Sequence, residues 1–266
     1  MVNLLHFQSV TSTYMSYFKI IKLNAIPSTN DFLKERYQKG NCIDGELVWA
    51  NEQTKGRGQR QRQWISTAEN SLTFSVYRSY ANFHSRNAFM VSAAAATGII
   101  NALKVIGIPD LKIKWPNDIL SCNKKVAGIL IENTVKKSQL KSSIIGVGLN
   151  VNQLNFLDLP YAGSLASVTG KEWILEKVFN SLREALELTL FSINNVSKEH
   201  WIEEYSNLLW KKDKVALFKR NGKSFKAISK GLSPEGFLLI ENMERESLTL
   251  NSNQSRMLYE SIPRLL

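Results

Sequence analysis

The stretch RNAFMVSAAAATGIINALKVIGI, residues 86–108, constrains the fold more than any other. Its apolar residues recur at helical spacing, and its alanines suit close packing against a sheet. Strand-like segments on both sides supply that sheet. Residues 18–26 and 45–53 read as strands, and 70–80 alternates with period two and is rich in aromatics. Residues 111–134 read as a hairpin-like pair turning at Ser121–Lys124, and 142–152 as a further buried strand. Between the first two strands, PSTNDFLKERYQKG reads as a helix capped by Ser28, Thr29 or Asn30 and stopped at Gly40. Two more helices are expected near 171–191 and 198–210. The pattern predicts an α/β (α+β) chain with a mixed central sheet packed with helices.

The texture changes at Lys211, where short alternating segments separated by NG and SPEG turns predict a small all-β module over 211–266. The expected organisation is an appendage at 1–15, with Met15 as an alternative start, a main domain at 16–210, and that module. A length of 266 residues, 44% of them hydrophobic, is enough for one sizeable core and a small second domain. Cys42 and Cys122 have neither the number for a disulfide framework nor metal-ligand spacing, and fit a reducing cytoplasm. No apolar run reaches the roughly 18 residues of a membrane span, so no membrane association is expected. The N-terminus lacks the basic region of a signal peptide. His6, His84 and His200 are scattered, and no residue is assigned to a metal.

A net charge of +11 favours polyanionic ligands, although a lysine-rich host would give the same balance. The densest basic segment is KGRGQRQRQW, residues 55–64, where the next acid along the chain is Glu69. Gly56 and Gly58 let the backbone approach a ligand and aim successive N–H groups at it. Lys55, Arg57, Arg60 and Arg62 surround that cradle, and arginine forks suit phosphate and carboxylate. The segment is not a Walker A loop, lacking the terminal Gly-Lys-Ser/Thr, nor a dinucleotide fingerprint, since Gln61 stands where a third glycine would be. Alone, such a loop is usually a solvated connection.

The ordered set STN (28–30), Q-x-x-GRGQRQRQW (53–64), KWPND (114–118), KVAGILIE (125–132) and GVGLNVN (146–152) resembles the biotin protein ligases over residues 16–265. The resemblance implies that the β-rich tail is the family's SH3-like domain. It implies an ATP-dependent ligase that makes biotinyl-5'-AMP and passes biotin to a lysine of a biotin carboxyl carrier protein domain, as in acetyl-CoA carboxylase. Biotin and ATP are the implied substrates, with Mg2+ bridging phosphates.

It carries roles to matching residues. Ser28, Thr29, Asn30 and Gln53 surround the ureido ring, whose uncharged groups need donors and acceptors. Arg57, Gly58 and Gln59 close over biotin's carboxylate, with Gly128 beside them. Arg60, Arg62, Trp64, Asn117, Ile129 and Asn150 belong to the ATP or adenylate side. Lys125 reaches both carboxylate and α-phosphate, and Asp118 either orients the acceptor amine or takes its proton. The implied catalytic set is Lys125, Asp118 and Arg57.

Two departures stand out. Gln59 replaces an arginine frequent in the family, so the adenylate is expected to be held less tightly unless Arg60 or Arg62 compensates. Gln61 replaces a glycine and stiffens the loop. Plainer readings apply elsewhere: Gly146 and Gly148 to close packing, Lys124 to an ordinary turn, and Trp173, Trp201 and Trp210 to packing at helical positions. Residues 1–17 are too few for a DNA-binding domain, so sequence-specific DNA recognition is not expected. The rivals are a lipoate–protein ligase and a basic nucleic-acid-binding protein. Homodimerisation through sheet edges stays open.

Overall fold

A computed structural model describes residues 16–156 and 159–259. The appendage expected at 1–15 and the last seven residues of the β module lie outside them. Strand β1 (Lys19–Ile26) leads through helix α1 (Thr29–Gln38) to β2 (Glu46–Gln53), then β3 (Ser71–Ser79) and helix α2 (Phe89–Val105). There follow β4 (Leu111–Lys114), β5 (Asp118–Ser121), β6 (Lys124–Lys136) and β7 (Gln139–Asn150). These form one seven-stranded sheet in the order β1-β2-β3-β7-β6-β5-β4. Only β1 and β2 run parallel, as the α1 crossover requires; the remaining neighbours are antiparallel.

The two-residue period decides which helix covers which face. On β2, Leu47 and Trp49 join the large core with Phe74 of β3 and the alanines of α2. Val48 points the other way, into a small cluster with Leu33 of α1, Tyr77 and Ile144. Helices α4 (Leu175–Phe191) and α5 (Lys198–Asn207) pack on α2, so the alanine-rich helix is enclosed. Residues Ser85–Val105 are long and apolar enough to cross a membrane by length and composition, contrary to the expectation that no such run exists; that segment is mostly buried inside the fold.

The segment at 111–134 holds three strands rather than a pair. The Trp115–Pro116 peptide is cis, and the chain reverses there so that Lys114 pairs with Asp118. The expected turn at Ser121–Lys124 forms, with Cys122 and Asn123 both in the left-handed region of a two-residue hairpin. A short helix α3 (Leu165–Thr169) escaped the sequence reading; its capping box uses Ser164 and Ser167 in place of the usual acid or amide. Trp201 is a buried residue of α5, but Trp173 and Trp210 sit outside helices, with indole N–H groups donating to Thr169 and Asn123.

The C-terminal segment forms a five-stranded antiparallel sheet of short strands in the order β11-β10-β9-β8-β12. Its strands are β8 (Val215–Arg220), β9 (Lys223–Leu232), β10 (Leu238–Asn242), β11 (Ser247–Leu250) and β12 (Ser255–Met257). The turn between β9 and β10 presses on the main core: Trp115 donates its indole N–H to the Gly236 carbonyl at 3.3 Å. The end of β12 thereby comes to the same sheet edge as β4 and β5.

Candidate functional site

Strands β1 and β2 end side by side, and the basic loop leaves from there. Thr54 and Lys55 donate their N–H groups to the Ile26 and Pro27 carbonyls, which places the STN turn against Gln53. Ser28 caps α1, its hydroxyl accepting from the Asp31 amide. The Thr29 amide and hydroxyl both donate to Gln53 Oε1, at 2.8 and 3.0 Å. The Ser75 hydroxyl stands 2.7 Å from Thr29 Oγ1 and 2.6 Å from Asn30 Oδ1, two acceptors between which its single proton is placed. Asn30 in turn donates to Glu132 at 2.8 Å. This buried chain of amides and hydroxyls orients each donor and acceptor at one end of a cavity of about 410 Å³.

The basic loop folds back on itself over that cavity. Trp64 donates its amide to the Gly56 carbonyl, and a Cβ on Gly56 would lie 2.3 Å from the Trp64 carbonyl oxygen, so only glycine lets the two limbs close. The Gly58 amide goes to the Arg62 carbonyl at 2.7 Å, so it is spent inside the loop instead of facing a ligand as expected. Arg60 adopts a left-handed conformation and donates to the Ser255 carbonyl at 3.0 Å, tying the loop to the C-terminal sheet.

Arg57 stands differently from the reading as a cation facing the reacting acids. Its guanidinium pairs with Asp31 at 2.7 Å and Glu132 at 2.6 Å, so two carboxylates offset its charge. The Trp64 indole lies on the sheet where Gly128 of β6 pairs with Gly148 of β7. A Cβ on Gly148 would come within 2.3 Å of the ring, so the glycine is there for this close approach. Lys125 Nζ sits 5.6 Å from the centre of the same ring.

The far wall comes from β4, β5 and β6. Asp118 Oδ1 is 2.5 Å from Lys125 Nζ; Oδ2 is 3.6 Å from Lys114 Nζ and accepts from the Tyr259 hydroxyl at 2.6 Å. Burial pushes the Asp118 carboxyl up, but Lys125, Lys114 and these hydrogen bonds outweigh it and hold the group below its ordinary value. Burial drives Lys114 the other way, down to about 8, against the attraction of Asp118. Arg62 lies near enough to add to that effect. Two ammonium groups therefore share one carboxylate, and with Arg62 near Lys114 they leave an excess of positive charge on this side of the cavity.

The structure gathers Ser28, Thr29, Asn30, Gln53, Arg57, Gly58, Gln59 and Arg60 on this cavity. Arg62, Trp64, Asn117, Asp118, Lys125, Gly128 and Ile129 line it too. Asn117 is turned partly away, its amide donating to the Ile129 carbonyl. Asn150 is not on the cavity wall: it is buried and donates to the Gly163 carbonyl, whose amide bonds the Lys125 carbonyl. It acts from behind, on the loop that flanks Lys125. Lys124 donates to the Pro160 carbonyl, in keeping with an ordinary turn.

Sequence reasoning missed Lys114, Tyr161, Glu132 and Tyr259. Lys114 belongs to KWPND, and its flanking apolar residues were the one available sign of burial.

Residues 23–150 match the biotin/lipoate A/B protein ligase family. The bifunctional ligase/repressor BirA of Salmonella typhimurium is 30% identical over 82% of this chain and 68% of its own length. The biotin–[acetyl-CoA-carboxylase] ligase of Mycobacterium tuberculosis is 28% identical, covering 80% of each chain. The biotin protein ligase of Aquifex aeolicus, solved with biotin and ATP, superposes with a TM-score of 0.72 at 25% identity, covering 92% of this chain and 99% of that one.

Proposed function

The chain belongs to the biotin/lipoate A/B protein ligase family, and on that premise we propose that it is an ATP-dependent biotin–protein ligase. The observation that carries the reading is the division of one cavity between a neutral hydrogen-bonding end and a cationic wall. Thr29, Asn30 and Gln53 suit the ureido group of biotin. Lys125, Lys114 and Arg62 suit the place where a carboxylate meets a triphosphate.

In the first step a carboxylate oxygen of biotin attacks the α-phosphorus of ATP. A P–O bond forms, the bond to pyrophosphate breaks, and biotinyl-5'-AMP results. Negative charge accumulates as the two anions meet, and fixed ammonium and guanidinium groups stabilise it. Among the described residues no group of three or more His, Cys, Asp or Glu side chains comes together to hold a metal. Mg2+ arriving with ATP would supply neutralising charge at the phosphates, and no described residue is assigned to hold it.

In the second step the amine of a carrier-protein lysine attacks the acyl carbon. The bond to AMP breaks with its electron pair staying on the phosphate oxygen, and the amine's proton passes to solvent. Asp118 is poorly suited to take that proton, since both its oxygens accept from donors and its carboxyl is held in the ionised form. We assign it the orienting role. The acceptor is a biotin carrier domain of a carboxylase, and the reaction belongs to the cytoplasm.

Exchange of labelled pyrophosphate into ATP tests the reading. It should require biotin and not respond to lipoate, and DNA binding should be weak and lost with salt. Exchange driven by lipoate alone would overturn the substrate assignment.

A further inference from the structure

Asp118 is held from two ends of the chain. Lys125 and Lys114 come from its own sheet, whereas Tyr259 follows β12 and lies 141 residues away. The Tyr259 ring stacks on Tyr161 at 5.0 Å between centroids and 12° between planes. Lys114 Nζ sits 4.1 Å from the Tyr259 ring centre. One side chain thus touches both the carboxylate and one of its two ammonium partners, from a sheet that contributes no recognisable motif.

We infer that Tyr259 is a positioning residue of the ligase reaction: its hydroxyl locks Asp118 with Oδ1 turned to Lys125, while its ring seats the Lys114 ammonium. The inference rests on the ligase reading above. Oδ2 would otherwise be free to draw Lys125 or Lys114 into a symmetric pair, withdrawing a cation from the cavity. Among the described residues the Tyr205 hydroxyl, which senses the Asp118 charge from α5, and Arg62, which acts on Lys114 and Tyr259, also face this cluster. Tyr205 cannot substitute, because its hydroxyl donates to the Pro116 carbonyl at 2.8 Å. The buried phenol of Tyr259 is itself pushed far up, so it stays a donor throughout the working range.

Tyr259→Phe keeps the ring on Lys114 and Tyr161 and removes only the donor. In the full chain, biotin-dependent pyrophosphate exchange should lose about tenfold in kcat, the weight of one hydrogen bond to a charged group, with the biotin KM little changed. The acid limb of the kcat profile should move to higher pH, since Asp118 without its donor protonates more readily. Site-specific 3-fluorotyrosine at 259, a stronger donor in an unaltered fold, should move that limb to lower pH. A melting temperature lowered with an unmoved pH profile would reduce Tyr259 to a structural contact and overturn the inference. So would wild-type kinetics in Tyr259→Phe, or a fluorotyrosine limb that fails to move. If the wild-type chain shows no biotin-dependent exchange, the ligase reading falls first and takes this inference with it. An active wild type with an unaffected variant sinks this inference alone.

Discussion

Lys114→Met should make the protein more stable and much less active. Lys114 is 6% exposed, and burial brings it down from the ordinary 10.5 to about 8. Below pH 8 the folded chain therefore holds on Lys114 a proton that it binds less tightly than the unfolded chain does. The difference, 10.5 minus 8 at about 1.4 kcal/mol per pH unit, is about 3 to 4 kcal/mol of lost stability. That figure already contains the attraction of Asp118 and the repulsion of Lys125. The sign follows from proton counting. Between pH 8 and 10.5 the unfolded state carries more protons, so wild-type stability rises across that window as the penalty is relieved. Methionine fills a similar volume without charge. At pH 7 its urea midpoint should lie about 1 M above wild type, and the gap should close by pH 10.5. Pyrophosphate exchange should fall by about two orders of magnitude with the loss of a fixed cation beside the phosphates. Equilibrium urea unfolding at pH 7 and pH 10.5 decides the matter. A destabilised variant at pH 7, or a gap independent of pH, would refute the claim that this charge is held at a cost.

Three further outcomes follow from the same geometry. Gly148→Ala places a methyl 2.3 Å from the Trp64 ring, about 1 Å too close, and overpacking of this kind costs about 1–3 kcal/mol; tryptophan emission should shift and ATP binding weaken, whereas unchanged emission would mean the ring does not rest there. Glu132→Gln removes one of the two carboxylates on Arg57, so trypsin should cut faster after Arg57 and Arg60; stability should fall by less than about 1 kcal/mol because the pair is partly exposed, and an unchanged cleavage rate would show the loop is held by other contacts. Gln59→Arg adds a cation to the loop over the cavity and should slow release of biotinyl-5'-AMP; faster release in a stopped-flow chase would contradict that.

Much of the site was legible because its motifs are neighbours in the sheet for local reasons. KWPND and KVAGILIE meet through a two-residue hairpin, which brings Asp118 opposite Gly128 and sets Lys125 beside it. STN meets Gln53 because β1 and β2 are parallel and in register to Ile26 and Gln53. The alanine run of α2 announced its burial through residue size alone. What stayed hidden depends on contacts between distant segments. The sequence shows no acid close to Arg57, yet Asp31 from α1 and Glu132 from β6 both reach it in space. Tyr259 carries no motif, and its place beside Asp118 depends on how the second sheet docks through Gly236 on Trp115. Asn150 sits in a motif and on the same face of β7 as Gly146 and Gly148, but at the strand's last residue, beyond the cavity lining, where its amide is taken by the Gly163 carbonyl.

The most direct test of the central claim follows an atom. Biotin labelled with oxygen-18 in its carboxylate should, after one turnover with ATP and a carrier-domain acceptor, leave one labelled oxygen in AMP, because that oxygen bonded the α-phosphorus beside Lys125 and stayed there when the acyl bond broke. Label in pyrophosphate or in free phosphate, or AMP without label, would contradict the account.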